Sequence, residues 1–223
     1  MRFLLLDDEK VSRFTLRQLV QSIPGATIHE AGDAAQAREQ LAQLPAPAVC
    51  IFDVRLPGEN GLDLLAWVRT QPRYMAWPVL LFTGNEDDGT RQQAAKLGVD
   101  GYLPKPPEPG SAEKVSALAA RFAEDLLPEP RALAQRLGTS TGHLMSYLDA
   151  LDKQITELAK AADDASRQTI HTRCLQVGKA LGSRHLVQAL QQWQDAAAAV
   201  RPEWVRATAL VVEGMRERFV LAS

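Results

Sequence analysis

The 223-residue chain is 46% hydrophobic and 23% charged, too apolar for a disordered segment and ordinary for a globular protein. A formal net charge of −2 excludes a globally basic coat for nucleic acid, though not a small local reading head. Only Cys50 and Cys174 are present, which excludes a disulfide framework or a zinc set and fits a reducing cytoplasm. The longest apolar stretches, such as 79–82 and 196–200, fall far short of the roughly 20 residues of a membrane span. Four apolar residues before Asp7-Asp8 are too few for a secretory signal, which needs about 7–15. The expected location is the cytoplasm.

In chain order, residues 2–6, 27–30, 48–52, 79–82 and 101–103 are short apolar runs and are predicted as strands. Helical patterns separate them, starting near Glu9, Asp33, Asn60, Asp87 and Ser111, and the third carries Leu62, Leu65, Ala66 and Val68 on one face. This alternation predicts an α/β doubly wound five-stranded parallel sheet over residues 1–125, covered on both faces. Leu126-Leu127-Pro128-Glu129-Pro130 interrupts any helix, so a linker is placed at 126–131 and a second domain at 132–223. Residues 1–125 hold 13 basic against 17 acidic residues; the remainder hold 12 against 10. Beyond a short helix at 131–137, Leu144, Leu148, Leu151, Ile155, Leu158 and Ala162 form one stripe, capped by Thr139, Ser140 or Thr141. Ile170, Cys174, Val177 and Leu181 form the next, and Gly182-Ser183 ends that helix. Leu186, Ala189, Leu190 and Trp193 mark a third. Val205, Ala209, Val212, Met215 and Phe219 mark a fourth, begun at Arg201-Pro202. The second domain is thus predicted to be an all-α four-helix bundle.

Ligands bind at the carboxyl ends of strands in such a sheet. The first strand runs into Asp7-Asp8, the third ends in Asp53, the fourth in Thr83, and Lys105-Pro106 follows the fifth. Three clustered carboxylates repel, and a hard divalent cation such as Mg2+ relieves that repulsion through oxygen ligands. A lysine and a hydroxyl beside them suit phosphoryl transfer onto a carboxylate.

Residues 1–125 resemble the receiver domain of two-component response regulators. The matching stretches are Leu4-Leu5-Leu6-Asp7-Asp8-Glu9-Lys10, Asp53-Val54-Arg55-Leu56-Pro57-Gly58, Leu81-Phe82-Thr83-Gly84 and Tyr102-Leu103-Pro104-Lys105-Pro106, and the intervals of 30 and 22 residues separating Asp53, Thr83 and Lys105 are typical of that family. The resemblance implies that Asp53 accepts phosphate from a phosphohistidine, so that the partner is a sensor histidine kinase or a phosphotransfer protein. It implies that Asp7, Asp8, Asp53 and the backbone carbonyl of Arg55 hold Mg2+, with Asp8 a direct ligand. Thr83 would bond a phosphoryl oxygen, Lys105 would neutralise the phosphate before a cis Pro106, and Tyr102 would turn inward when Thr83 moves. Gly61 would permit tight packing of a helix start.

The second domain is similar to a histidine phosphotransfer bundle over Gln168-Thr169-Ile170-His171-Thr172-Arg173-Cys174 and 177–186. It departs from that pattern. Ten residues before Gly182 stands Thr172, with His171 one position early, and Leu175 and Gln176 replace the usual Lys-Gly. The stripe through Ile170 places Thr172 in water and His171 on the flank, about 100° away. His171 is the candidate phosphohistidine; His143 and His185 are expected at the surface or in caps. The leading expectation is a degenerate phosphotransfer module that binds proteins, including another receiver or a second copy, without carrying phosphate. A rival is a helix-turn-helix near 133–148. Its outward positions Thr141, His143, Ser146, Tyr147 and Asp149 lack Lys or Arg, so DNA is not the expected partner. No glycine loop or nucleophile–base pair after residue 125 suggests an output enzyme.

Overall fold

The computed structural model describes residues 1–84, 88–196 and 201–222, with side chains to Val220. The chain divides into two compact units, Met1–Ala120 and Arg121–Ser223. The first contains β1 (Arg2–Leu6), α1 (Lys10–Gln21), β2 (Thr27–Ala31), α2 (Ala34–Gln43), β3 (Ala48–Asp53), α3 (Gly61–Thr70), β4 (Val79–Thr83), α4 (Asp88–Lys96), β5 (Gly101–Pro104) and most of α5 (Ser111–Leu126). All strand pairs are parallel, in the order β2-β1-β3-β4-β5. Asp87, expected at the head of the fourth helix, lies outside the described residues.

The strand sequences explain the order. β3 is buried along its whole length, as continuous apolar runs covered on both faces require, whereas β2 and β5 at the edges are only partly buried. Asp33 and Asn60 accept backbone N–H bonds that open α2 and α3. Between α3 and β4 an aromatic group closes the core, with Tyr74 lying 5.6 Å from Trp67 and 5.1 Å from Trp77, ring centre to ring centre. Arg69 ties the same corner down through the carbonyls of Met75, Trp77 and Gly98 and a 3.0 Å ion pair with Asp100.

The second unit is all helical, with α6 (Pro130–Arg136), α7 (Thr141–Lys160), α8 (Asp164–Leu181), α9 (Arg184–Asp195) and α10 (Arg201–Ala222). α7 packs on α8 and α10, α9 packs on the same two, and α6 packs on α7. Ser140, Asp163 and Ser183 cap α7, α8 and α9, and Gly182 ends α8 with φ of 75°. The proline segment is short and packed. Leu126 belongs to α5, and Leu127 is buried with its carbonyl accepting from Arg218. Glu129 caps α6, with Pro130 in its first turn.

Two expectations about packed faces need correction. Ala162 is exposed beyond the end of α7, because Asp163 caps the next helix there. On α8 the buried positions are His171, Cys174, Gly178 and Leu181, not a face centred on Ile170 and Val177, which are only half-buried. The helix is rotated by about one residue from the apolar reading. Gly178 supplies the physical reason: a Cβ there would sit 3.2 Å from Leu186, so its bare backbone is where α9 approaches most closely.

Candidate functional site

The β3–α3 junction sets the position of Asp53. Gly61 N–H donates to the Val54 carbonyl at 2.9 Å, and a Cβ on Gly61 would fall 2.0 Å from the Asp53 carbonyl oxygen. Only glycine fits that approach. The Arg55 N–H in turn donates to Asp53 Oδ1 at 3.1 Å. Just past β1, the fully buried Asp7 accepts from the Glu9 N–H at 2.9 Å, while Asp8 is exposed.

Lys105 joins the two strands. Its Nζ lies 2.9 Å from Asp53 Oδ2, 3.0 Å from Asp7 Oδ2 and 3.6 Å from Glu9 Oε2. The backbone holds it there: Lys105 N–H donates to the Thr83 carbonyl at 2.8 Å, and the Lys105–Pro106 bond is cis. Burial alone would depress the lysine, but its bonds to Asp53 and Asp7 raise its pKa, so it stays cationic. Asp7 is shifted upward: burial outweighs the opposing pull of Lys105 and the Glu9 N–H. Glu9 is held below its ordinary value by the Ser12 hydroxyl and by Lys105.

An open cleft of roughly 330 Å3 is lined by Asp8, Glu9, Asp53, Arg55, Thr83, Gly84 and Lys105. Carboxylate oxygens of Asp7, Asp8 and Asp53 all lie within 4.8 Å of one another. An all-oxygen donor set of this kind, partly open to water, fits a hard divalent ion that keeps some of its waters. The sequence-derived rim is therefore gathered at one place. Tyr102 stands apart from it, half-buried on β5, its hydroxyl donating to the Arg91 carbonyl of α4 at 3.2 Å.

His171 is placed quite differently. It is 1% exposed, its Nε2 lies 2.8 Å from the Leu190 carbonyl, and its ring stacks on Trp193 at 4.7 Å. Arg201 covers Trp193 in turn, 5.3 Å from the ring centre. The flank position expected for this histidine is corrected to a core position, because the α8 rotation turns it onto α9. Thr172 is exposed, as its angle required. Sequence reasoning missed Arg13 of α1, whose Nη1 donates to the carbonyl oxygens of Asp7 at 2.6 Å and Asp8 at 3.2 Å. Its spacing, five residues beyond the acidic pair on the following helix, was the available signal.

A doubly wound domain with an acidic, lysine-bridged rim at its strand ends is the architecture of a signalling receiver. The chain belongs to that family: the profile for the response regulator receiver domain matches residues 3–115, just over half the chain. It is a two-component signalling protein in this part. Protein PetR of Rhodobacter capsulatus is 33% identical over 129 residues, covering 57% of this chain and 52% of that protein. The alginate biosynthesis transcriptional regulatory protein AlgB of Pseudomonas putida is 30% identical over 198 residues, covering 88% of this chain and 42% of that one. The chain spans about half the length of the curated relatives it matches. Among solved structures, chemotaxis response regulator CheY4 of Vibrio cholerae is 26% identical over 52% of this chain and 96% of its own, with a TM-score of 0.47. Among the described residues no helix is long and apolar enough to cross a membrane.

Proposed function

We propose that Asp53 accepts a phosphoryl group from the phosphohistidine of a sensor histidine kinase or phosphotransfer protein. The observation that carries this reading is the Lys105 ammonium shared between Asp53 and Asp7 in a cleft that also opens onto Asp8 and Thr83. Asp7, Asp8, Asp53 and the Arg55 carbonyl would hold Mg2+, which supplies charge neutralisation for an incoming phosphoryl group. The chain's own residues do the rest. The Arg55 N–H fixes Asp53 Oδ1, which orients the carboxylate toward the cleft. Lys105 offsets the negative charge that gathers as a phosphoryl group approaches. The Thr83 hydroxyl, at the last position of β4, is the donor available to a phosphoryl oxygen. Intact-mass measurement after treatment with acetyl phosphate and Mg2+ should show one added phosphoryl group, absent in Asp53→Ala. Equal modification of that variant would overturn the assignment.

The helical unit we read as a degenerate phosphotransfer-like interaction module. Burial of His171 supports this, since an imidazole bonded to Leu190 and stacked on Trp193 cannot reach a partner's aspartate. Between Asp164 and Asp195 the sequence has no acid and four cations, Arg167, Arg173, Lys179 and Arg184. Val177, Ala180 and Leu181 of that stretch line an apolar groove together with Leu137, Thr139 and Tyr147. Arg167 and Arg184 are paired with Asp164 and Asp125, so the surface offered to a partner is this apolar groove with the exposed Arg173 and Lys179 on the same helix. It suits an acidic, partly apolar face such as that of another receiver domain. A second reading, DNA binding through α6 and α7, is favoured by relatives that are transcriptional regulatory proteins. Against it, α7 continues for 20 residues and its outward Asp149 is engaged by Arg216 at 2.8 Å. A sequence-selective, salt-sensitive gel shift with duplex DNA would decide for that reading. Binding to a phosphorylated receiver, without label transfer to the helical unit, would decide for the module.

A further inference from the structure

A metal site needs its ligands held as well as supplied, and the Asp7-Asp8 pair sits on only three residues of chain between β1 and α1. Asp7 N–H is engaged by the Ala31 carbonyl at 3.2 Å, which anchors the strand side of that turn. Its carbonyl face is held by a different group. Arg13, one turn into α1 and 17% exposed, directs a single guanidinium nitrogen at both carbonyl oxygens, 2.6 Å from Asp7 and 3.2 Å from Asp8. The guanidinium is steadied from the far side by Glu30 of β2, 3.7 Å from Arg13 Nε, and Glu30 is itself fixed by Arg17 at 2.5 Å. A chain of contacts thus runs from β2 through Arg13 to the backbone of both acidic residues.

We infer that Arg13 is a positioning residue for the divalent cation: it fixes the backbone of Asp7 and Asp8 so that their carboxylates meet the ion together with Asp53. The inference rests on the proposed acidic site. Two effects of Arg13 oppose one another. Its positive charge repels a nearby cation, while its two carbonyl bonds lower the conformational cost of gathering the ligands. Glu30, shared between Arg13 and Arg17, offsets part of the charge in place, while the two carbonyl bonds act directly on the ligand backbone, so positioning wins. Partners that orient metal ligands typically change metal affinity about 10–100-fold when removed.

The test uses the full chain and Mg2+ alone, followed by titration calorimetry, with the rate of acetyl phosphate modification measured across Mg2+ concentrations. Arg13→Met should weaken Mg2+ binding about tenfold, the low end of that range. The rate at saturating Mg2+ should stay near that of the unmodified sequence, because the reacting groups Asp53, Thr83 and Lys105 are untouched. Arg13→Lys keeps the charge and one donor, and should give an intermediate affinity. This variant decides the matter if the methionine variant does not fold. Mg2+ affinity that is unchanged or tighter in these variants would overturn the inference and leave the site standing. A uniform loss of saturating rate without a change in Mg2+ affinity would overturn it also. If the unsubstituted chain itself shows no Mg2+ binding, the acidic site and this inference fall together.

Discussion

Asp53 and His171 are both residues that two-component chemistry can phosphorylate, and the protein treats them oppositely. Asp53 is nearly buried yet faces an open cleft, with a lysine at 2.9 Å that would offset part of the charge of a phosphoryl group under the proposed function. His171 is just as buried but faces a tryptophan and a backbone carbonyl, and the cation in that stack, Arg201, lies over Trp193. Burial is therefore not what separates the proposed phosphoacceptor from a structural group here. What separates them is the neighbouring surface: a solvent-connected pocket with a compensating charge in one case, a packed ring and a satisfied hydrogen bond in the other.

Removing the compensating charge is the largest test of that contrast. Lys105→Met keeps the stem's length and deletes the ammonium shared by Asp53 and Asp7. Loss of a preorganised charge-stabilising donor costs about 100- to 1000-fold in comparable sites. The rate of acetyl phosphate modification at fixed Mg2+ should fall by at least about 100-fold, with the domain still folded by circular dichroism. A rate within threefold of the unsubstituted chain would show that Lys105 serves the fold rather than the chemistry.

The two regions also differ in how much of them the sequence disclosed. Strand ends carry chemistry in a doubly wound sheet because the topology brings them to one edge, so Asp7, Asp53 and Thr83 could be placed together from alternation alone. The match to a family was then a check on residues already singled out. The helical unit offered no such rule. Apolar periodicity on α8 pointed through Ile170 and Val177, but the packed face runs through His171 and Gly178. A hydropathy pattern counts histidine as polar and glycine as neutral. It cannot register that Leu190 offers a carbonyl to the imidazole, or that Leu186 needs the space a side chain on residue 178 would fill. Arg13 escaped for a related reason: its bonds to the acidic pair go to backbone oxygens, so only its spacing marks it.

Truncating the buried imidazole gives a smaller, purely structural effect. His171→Ala removes the ring stacked on Trp193 and leaves the buried Leu190 carbonyl without that partner. That carbonyl keeps its helix bond within α9, so the loss is one hydrogen bond, about 0.5–1.5 kcal/mol net, plus the ring stacking, about 0.5–1.5 kcal/mol, or about 1–3 kcal/mol together. Denaturant unfolding of the helical transition should shift by about that amount, while modification of Asp53 by acetyl phosphate proceeds at an unchanged rate. A stable variant that loses receipt of label from a phosphorylated receiver would instead make His171 a phosphate carrier and reverse the contrast.

The smallest effect separates the two regions by their thiols. Cys50 lies in β3 and Cys174 in α8, and neither has exposed surface. Burial pushes Cys50 up to about 12 and Cys174 up to about 11, from an ordinary value of 9.0. The thiolate is the reactive species, and at pH 9 it is about 1% of Cys174 and about 0.1% of Cys50. The sign of the coupling to stability follows. A folded pKa above the unfolded one means that each thiol favours the folded state fully below pH 9.0, and this contribution is lost as pH rises through about 11 for Cys174 and about 12 for Cys50. In the native chain at pH 8, iodoacetamide should label neither residue on a timescale that labels the unfolded chain completely. As pH is raised toward 10, Cys174 should react first, and mass mapping of the alkylated peptides reads the order directly. Cys50 reacting first would mean that the receiver sheet opens more readily than the helical unit, the reverse of what its continuously buried central strand implies.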